Sequence, residues 1–170
     1  MKIALSGKSG CGNSSVSKIV ADRLGLRLIN YTFRSMAQER GMSFQTFSRL
    51  AETDTSYDRY LDRHQVELAS AGDCILGSRL AIWLLPDADL KIYLTARVEV
   101  RAARIGRREG KPYEQALAET VDRDARDRER YLKLYDIDND RYDFADLVID
   151  TEKYDVYEEA DLIVETASKL

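Results

Sequence analysis

The most chemically suggestive segment lies near the start of the chain. Gly7-Lys8-Ser9-Gly10-Cys11-Gly12-Asn13-Ser14 has the spacing of a Walker A phosphate loop at every position but one. Glycines let a backbone curl around phosphate oxygens, and they present N–H groups at a helix N-terminus whose dipole favours an anion. Gly7, Lys8, Ser9, Gly10, Cys11, Gly12, Asn13, Ser14 and Ser15 are therefore the candidate ATP-binding residues. Ser14 holds the hydroxyl position that ligates Mg²⁺. Asn13 stands where the motif has a lysine that sets a positive charge between the β- and γ-phosphates. Two readings follow. In one, Lys8 swings back over the phosphates and replaces that charge, with arginines of a mobile lid assisting. In the other, the loop is a glycine turn without nucleotide function. Context favours the first, because the loop follows a strand and opens an amphipathic helix. Cys11, among amides that would stabilise a thiolate, could be redox-sensitive, but a small residue filling a tight loop is the simpler account.

Phosphoryl transfer asks for cations around the transferring group and for exact alignment of donor and acceptor. The second half of the chain supplies arginines in a pattern. Arg101, Arg104 and Arg108 fall at i, i+3 and i+7, on one face of a helix, while Val98, Ala102 and Ile105 form an apolar face. Arg107 lies near its end, before Gly110-Lys111-Pro112. Further on, Arg123, Asp127 and Arg130 share another helical face. Two arginines flanking an aspartate could grip a phosphate and a ribose hydroxyl together. From spacing alone, a solvated helix laced with i,i+4 ion pairs is the commoner explanation. His64, among Asp62, Arg63 and Gln65, reads as a surface residue.

These groups must be positioned by elements that the pattern also reveals. Lys2 to Ser6, Arg27 to Asn30, Cys74 to Leu76, Leu90 to Leu94 and Leu147 to Asp150 read as short buried strands. Val16, Ile19, Val20 and Leu24 mark a helix from Ser14 to Leu24, stopped by Gly25. Residues 32–71 look helical and polar, broken near Gly41 and at Thr53-Asp54-Thr55, with Ser43 and Thr55 as N-caps. A helix from near Arg97 ends at Glu109-Gly110, and Pro112 suits the first turn of the next, which runs to about Leu134. A last helix starts near Val156. Strands alternating with helices predict a doubly wound α/β domain with its ligands at the carboxyl ends of the strands.

Composition narrows the function classes. The 170 residues suit a single domain, 44% hydrophobic and 33% charged. A net charge of −4 argues against a nucleic-acid binder working by bulk electrostatics. No stretch approaches the roughly 18 to 20 apolar residues of a membrane helix, and the first residues are apolar for too short a run to form a signal peptide. Cys11 and Cys74 cannot make a disulfide framework, so a reducing cytoplasm is the expected compartment.

Taken together, these residues resemble the cytidylate kinases, and within them the short, archaeal-type branch of the P-loop nucleoside monophosphate kinases. The resemblance is carried by the Gly7–Ser15 loop, Phe33-Arg34 with Ala37 to Ser43, Ser78-Arg79-Leu80-Ala81, Asp89 to Ala96, the arginine-rich helix, Arg130-Tyr131 leading to Tyr135–Asp138, and Asp146 to Thr151. It implies a P-loop NTPase fold over residues 1–170, with a helical acceptor-binding insert at about 32–71 and a lid at about 104–116. It also implies transfer of the ATP γ-phosphate to CMP, and to dCMP, with Mg²⁺, by a monomer whose partners are small nucleotides and neither nucleic acid nor membrane. The run Arg123 to Arg130 matches the Arg-Asp-x-Arg-Asp-x-x-Arg of longer bacterial members. That match implies Arg123 and Asp127 at the sugar of CMP and Arg130 at its phosphate. By the same implication Arg34 holds the acceptor phosphate and Arg79 lies by the cytosine or phosphate. Lys8, Arg104, Arg107 and Arg108 become the candidate catalytic cations, the last three closing over the transferring group. Two other readings compete: a non-catalytic nucleotide-binding module, and a P-loop kinase for another acceptor such as shikimate or dephospho-coenzyme A.

Overall fold

The computed structural model describes all of Met1–Leu170. Along the chain run β1 (Lys2–Gly7), α1 (Asn13–Leu24), β2 (Arg27–Ile29), α2 (Phe33–Glu39), α3 (Phe44–Thr53), α4 (Ser56–Ser70) and β3 (Cys74–Gly77). There follow α5 (Ala81–Leu84), β4 (Leu90–Thr95), α6 (Val98–Glu109), α7 (Tyr113–Tyr135), β5 (Leu147–Asp150) and α8 (Val156–Ala167). The five strands form one sheet in the order β2-β3-β1-β4-β5, and every pairing is parallel. Such a sheet is covered on both faces, and the period-two alternation of strand side chains divides its residues between two cores. Ile3, Leu5, Ile75, Ile92 and Leu94 meet Val16 and Val20 of α1 and Ala160 and Ile163 of α8. Ala4, Cys74, Leu76 and Tyr93 face the other way, onto Ala69, Ile82 and Leu85.

The strand and helix expectations agree with these elements to within a residue or two at each end. Ser43 caps α3 as its type suggests, its hydroxyl accepting from the amide of Thr46 at 3.1 Å. Thr55 holds the N-cap position of α4 but makes no side-chain cap; the Asp54 carboxylate accepts from the Ser56 amide at 2.9 Å instead. A charged acceptor makes the stronger bond there. Pro112 sits at the N-cap of α7 rather than inside its first turn. No helix is long and apolar enough to cross a membrane.

Two features position the site. First, β1 and β3 end side by side, with Leu5 opposite Gly77, so the loop after β1 and the segment Ser78-Arg79 emerge at the same edge. Second, α2, α3 and α4 build a small core of their own from Tyr31, Met36, Ala37 and Phe47, packed by Phe33, Ala51, Tyr57 and Leu61. This insert stands beside the sheet. Phe47 is its fully buried centre, with Phe33 and Tyr57 at ring distances of 5.8 and 5.0 Å. Phe47→Ala should destabilise the insert by about 3 to 5 kcal/mol, the usual cost of emptying a buried phenyl site. Hydrogen exchange checks this: amides of residues 33–70 lose protection while those of β1 and β4 keep most of theirs.

Candidate functional site

The loop between β1 and α1 has the curled shape its glycines suggest. Gly10 and Gly12 take positive φ values of 86° and 99°. At Gly10 a side chain would also strike the backbone of Arg101 at 2.9 Å, so the glycine is what lets α6 press against the loop. Gly12 starts α1 without any side-chain cap. The first amides of the helix are thus left to an anion. Asn13, in place of the motif's lysine, turns inward: its side-chain amide donates to the Gly7 carbonyl at 3.0 Å. Lys8 turns away from the loop, its Nζ 2.5 Å from Oδ1 of Asp140. Burial pushes the Cys11 thiol up to about 11, so the residue stays protonated and acts as packing. Ser14 is exposed on the first turn of α1.

Arginines converge on this loop from three elements. Arg79, just after β3, donates to Ser9 Oγ at 2.8 Å, and Arg123 of α7 approaches the same hydroxyl at 3.5 Å. Arg101 of α6 donates to the Ser9 carbonyl at 3.2 Å, and Arg104 to the Gly10 carbonyl at 3.2 Å. Arg104 also donates to the hydroxyl and carbonyl of Thr151 at 2.8 and 2.7 Å, tying α6 to the end of β5. Carboxylates hold the cations in place. Asp124 takes two bonds from Arg101, at 3.2 and 2.6 Å. Asp127 accepts from Arg79 through one oxygen at 2.5 Å and from Arg130 through the other at 3.0 Å. Arg130 in turn lies 3.2 Å from Asp58 of α4.

The result is a line of alternating charge: Ser9, Arg79, Asp127, Arg130, Asp58. It runs along a cavity of about 540 Å³ between α7 and the insert, lined also by Phe33, Ala51, Glu52 and Arg123. Behind it, burial pushes Asp62 up to about 6 while the Tyr135 hydroxyl, donating at 2.6 Å, pulls the other way. Burial likewise raises Asp58, against the pull of Arg130. No group of three or more His, Cys, Asp or Glu side chains is placed to hold a metal ion. The Ser14 hydroxyl is exposed and free to meet a Mg²⁺ ion carried on nucleotide phosphates.

A phosphate loop beside a cationic cavity is general to many kinases, and the sequence comparison decides among them. The model of the cytidylate kinase-like family matches residues 2–153. The chain belongs to this family. Cytidylate kinase 2 of Borreliella afzelii is 47% identical over 99% of this chain and 97% of its own. The cytidylate kinase of Methanocaldococcus jannaschii is 41% identical over 92% and 91%. Among solved structures, shikimate kinase from Acinetobacter baumannii superimposes with a TM-score of 0.66 at 18% identity, covering 99% of this chain and 93% of that one. Deoxyadenosine kinase from M. mycoides with bound dATP gives 0.59 at 20%, covering 99% and 100%. At those identities the likeness establishes the P-loop α/β fold.

Within the cytidylate kinase-like chain, the expected acceptor residues Arg79, Arg123, Asp127 and Arg130 come together on one cavity. Arg34 does not join them: it is exposed on α2, its guanidinium 4.5 Å above the Phe44 ring. Of the arginines assigned to the lid, Arg104 reaches the loop, whereas Arg107 and Arg108 stay exposed in the last turn of α6. Residues 104–116 form the closed end of the α6–α7 hairpin, where Gly106 lets Ala116 pack closely. Sequence reasoning passed over Arg101 as a site residue, and Asp58 and Asp124 altogether. Arg101 had a signal, standing one turn before Arg104 on the same face. The other two had none, because their partners are far off in sequence.

Only 5% of the Arg101 side chain is exposed, so its charge depends on Asp124. Asp124→Ala strands that charge and should cost about 3 to 5 kcal/mol, read as a lower urea midpoint. Arg101→Met added to Asp124→Leu should recover most of the loss, because a buried pair replaced by apolar groups is close to neutral.

Proposed function

We propose that this chain transfers the γ-phosphoryl group of ATP to CMP, giving CDP and ADP, and that it accepts dCMP as well. The observation that carries this is the gathering of Arg79, Arg123, Asp127 and Arg130 beside Ser9 of the phosphate loop. It supports an anionic acceptor bound next to ATP, in a chain whose relatives are named cytidylate kinases. ATP binds at Gly7–Ser15. The Ser14 hydroxyl would hold Mg²⁺, which would neutralise phosphate charge there.

Order along the charged line suggests how CMP lies. Its phosphate oxygen must attack the γ-phosphorus in line, so the phosphate belongs at the loop end. Arg79 and Arg130 take it there, and Arg34 swings off Phe44 to join them when the insert closes. Asp127 accepts from the ribose. Arg123 stands with Asp127 at the sugar. Arg104, with Arg107 and Arg108 from the hairpin's end, closes over the transferring group and excludes water, the competing acceptor. No covalent enzyme intermediate is required. Lys8 leaves Asp140 and supplies the charge that Asn13 lacks. The expected monomer and the cytoplasmic setting remain part of this reading, and two buried free cysteines suit a reducing compartment.

A coupled ADP-release assay with ATP, Mg²⁺ and each of CMP, dCMP, UMP, AMP and GMP tests the reading. CMP-dependent release sustains it; nucleotide binding without release from any acceptor overturns it. Arg123→Ala should lower kcat/KM for CMP by about a hundredfold or more, the loss typical of removing a positioned charge from a transition state. Its melting temperature should hold, since Arg123 makes only a 3.5 Å contact in the resting protein. Lys8→Ala should lower kcat by about tenfold or more if the lysine replaces the missing one; unchanged kcat would assign the charge to the arginines alone.

A further inference from the structure

The insert carries a second concavity, of about 510 Å³, that shares no residue with the acceptor cavity. Arg40, Ser56, Tyr57, Arg59, Tyr60 and Arg63 line it, so three guanidiniums meet in one bowl with no carboxylate in its walls. Nearby acids are engaged elsewhere. Glu39 accepts from the Tyr31 hydroxyl at 2.7 Å, Asp54 from the Ser56 amide at 2.9 Å, and Asp62 from the Tyr135 hydroxyl at 2.6 Å. Asp58, on the same helix, faces Arg130. Arg63 has only a 3.7 Å approach to Glu67, a carboxylate that His64 also meets at 3.4 Å. The guanidiniums of Arg40 and Arg59 have no hydrogen-bond or ion-pair partner in the protein. A single unpaired arginine such as Arg49 is ordinary on a surface; here three share one cavity.

Arg40 is also held in place. Its guanidinium lies over three rings, 5.6 Å from Phe47, 5.0 Å from Tyr57 and 5.9 Å from Tyr60. Phe47 is the buried centre of the insert's core, and Tyr60 stacks on His64 at 5.7 Å, so the rings are themselves fixed. Aromatic faces stabilise a cation without accepting its N–H bonds through lone pairs, so the donors of the fork stay available. Like charges confined in this way repel one another, and an anion of several charges relieves them. A lone carboxylate satisfies one fork. Linked phosphoryl groups offer several oxygens and several charges within one compact ligand, and oxygen pairs on phosphate match guanidinium forks. A nucleic-acid strand spreads its charges along a line instead, and a net charge of −4 does not favour it. We propose that this concavity is a second anion site, which binds the di- or triphosphate group of a nucleotide or an inorganic polyphosphate.

NMR amide shifts of the isotope-labelled protein, with inorganic tripolyphosphate as the probe in magnesium-free buffer, locate binding residue by residue. They read this cavity separately from the Gly7–Ser15 loop, and whether or not the protein phosphorylates CMP. Amides at Arg40 and along residues 56–63 should shift and saturate. Arg59→Ala and Arg63→Ala, at exposed positions, should each weaken that response by about tenfold or more, the worth of one hydrogen bond to a charged group. Both variants should keep the wild-type melting temperature and any response of the loop. Arg49→Ala removes an exposed insert arginine outside the cavity and should leave binding at residues 56–63 unchanged. Repeating the titration with ATP and with CTP separates the two sources. Tighter binding than tripolyphosphate assigns the site to a nucleotide; equal or weaker binding assigns it to the phosphate chain itself. Absence of a saturating response at residues 56–63 overturns the site. So does equal weakening by Arg49→Ala, which would reduce the effect to bulk charge. A short single-stranded oligonucleotide that saturates the same amides at lower concentration than either probe overturns the choice of a polyphosphate ligand.

Discussion

The constraint on which this structure depends is the crowding of like charge. A phosphoryl-transfer site needs several cations within a few ångströms of one another, and in an empty site they repel. Here every guanidinium near the loop except that of Arg123 is anchored by groups of opposite character: Arg101 by Asp124, Arg79 and Arg130 by Asp127, Arg104 by the carbonyls of Gly10 and Thr151. Desolvation alone would make such an array costly. Pairing offsets that cost and fixes the direction of the paired forks, so those cations are oriented before a nucleotide arrives. Pre-set orientation is what makes electrostatic stabilisation effective in a transition state. A net charge of −4 in a protein built to bind polyanions follows from the same logic, since fixing the cations takes carboxylates.

The anchors also decide which elements must stay together. Arg79 belongs to the sheet's edge, Asp127 and Arg130 to α7, and Asp58 to the insert, so the charged line joins the three parts of the molecule across the cavity. The insert has its own small core around Phe47 and so its own packing identity. A ligand that competes for the Arg130–Asp58 contact would act directly on the seam between insert and body.

Much of this was legible in the sequence and some was not, for a physical reason. Strands such as Leu90–Thr95 and helices such as Val98–Glu109 are specified by local periodicity and end at residues with known backbone preferences, Gly110 among them. The face shared by Arg123, Asp127 and Arg130 follows from helix geometry once the helix is granted. Hidden information was of two kinds. Pairings between distant segments, Asp58 with Arg130 and Arg101 with Asp124, leave no mark in spacing, and both carboxylates sit among many other charged residues. Side-chain direction is the second kind: Arg34 rests on Phe44 and Lys8 on Asp140, choices made by neighbours that the sequence does not announce.

Asn13 makes sense against this background. In the resting loop its amide closes onto the Gly7 carbonyl, so this position shapes the loop and adds no charge to it. The cations that face it belong to Arg79, Arg101, Arg104 and Arg123, and most of these come from the α6–α7 hairpin. A lysine in the motif would put charge on the phosphates from within the loop, whatever the hairpin does. With asparagine there, most of the cations nearest the loop come from the hairpin, and their position depends on how it seats against Ser9 and Gly10. The same packing that forces glycine at position 10 therefore ties the placement of these cations to the seating of the hairpin.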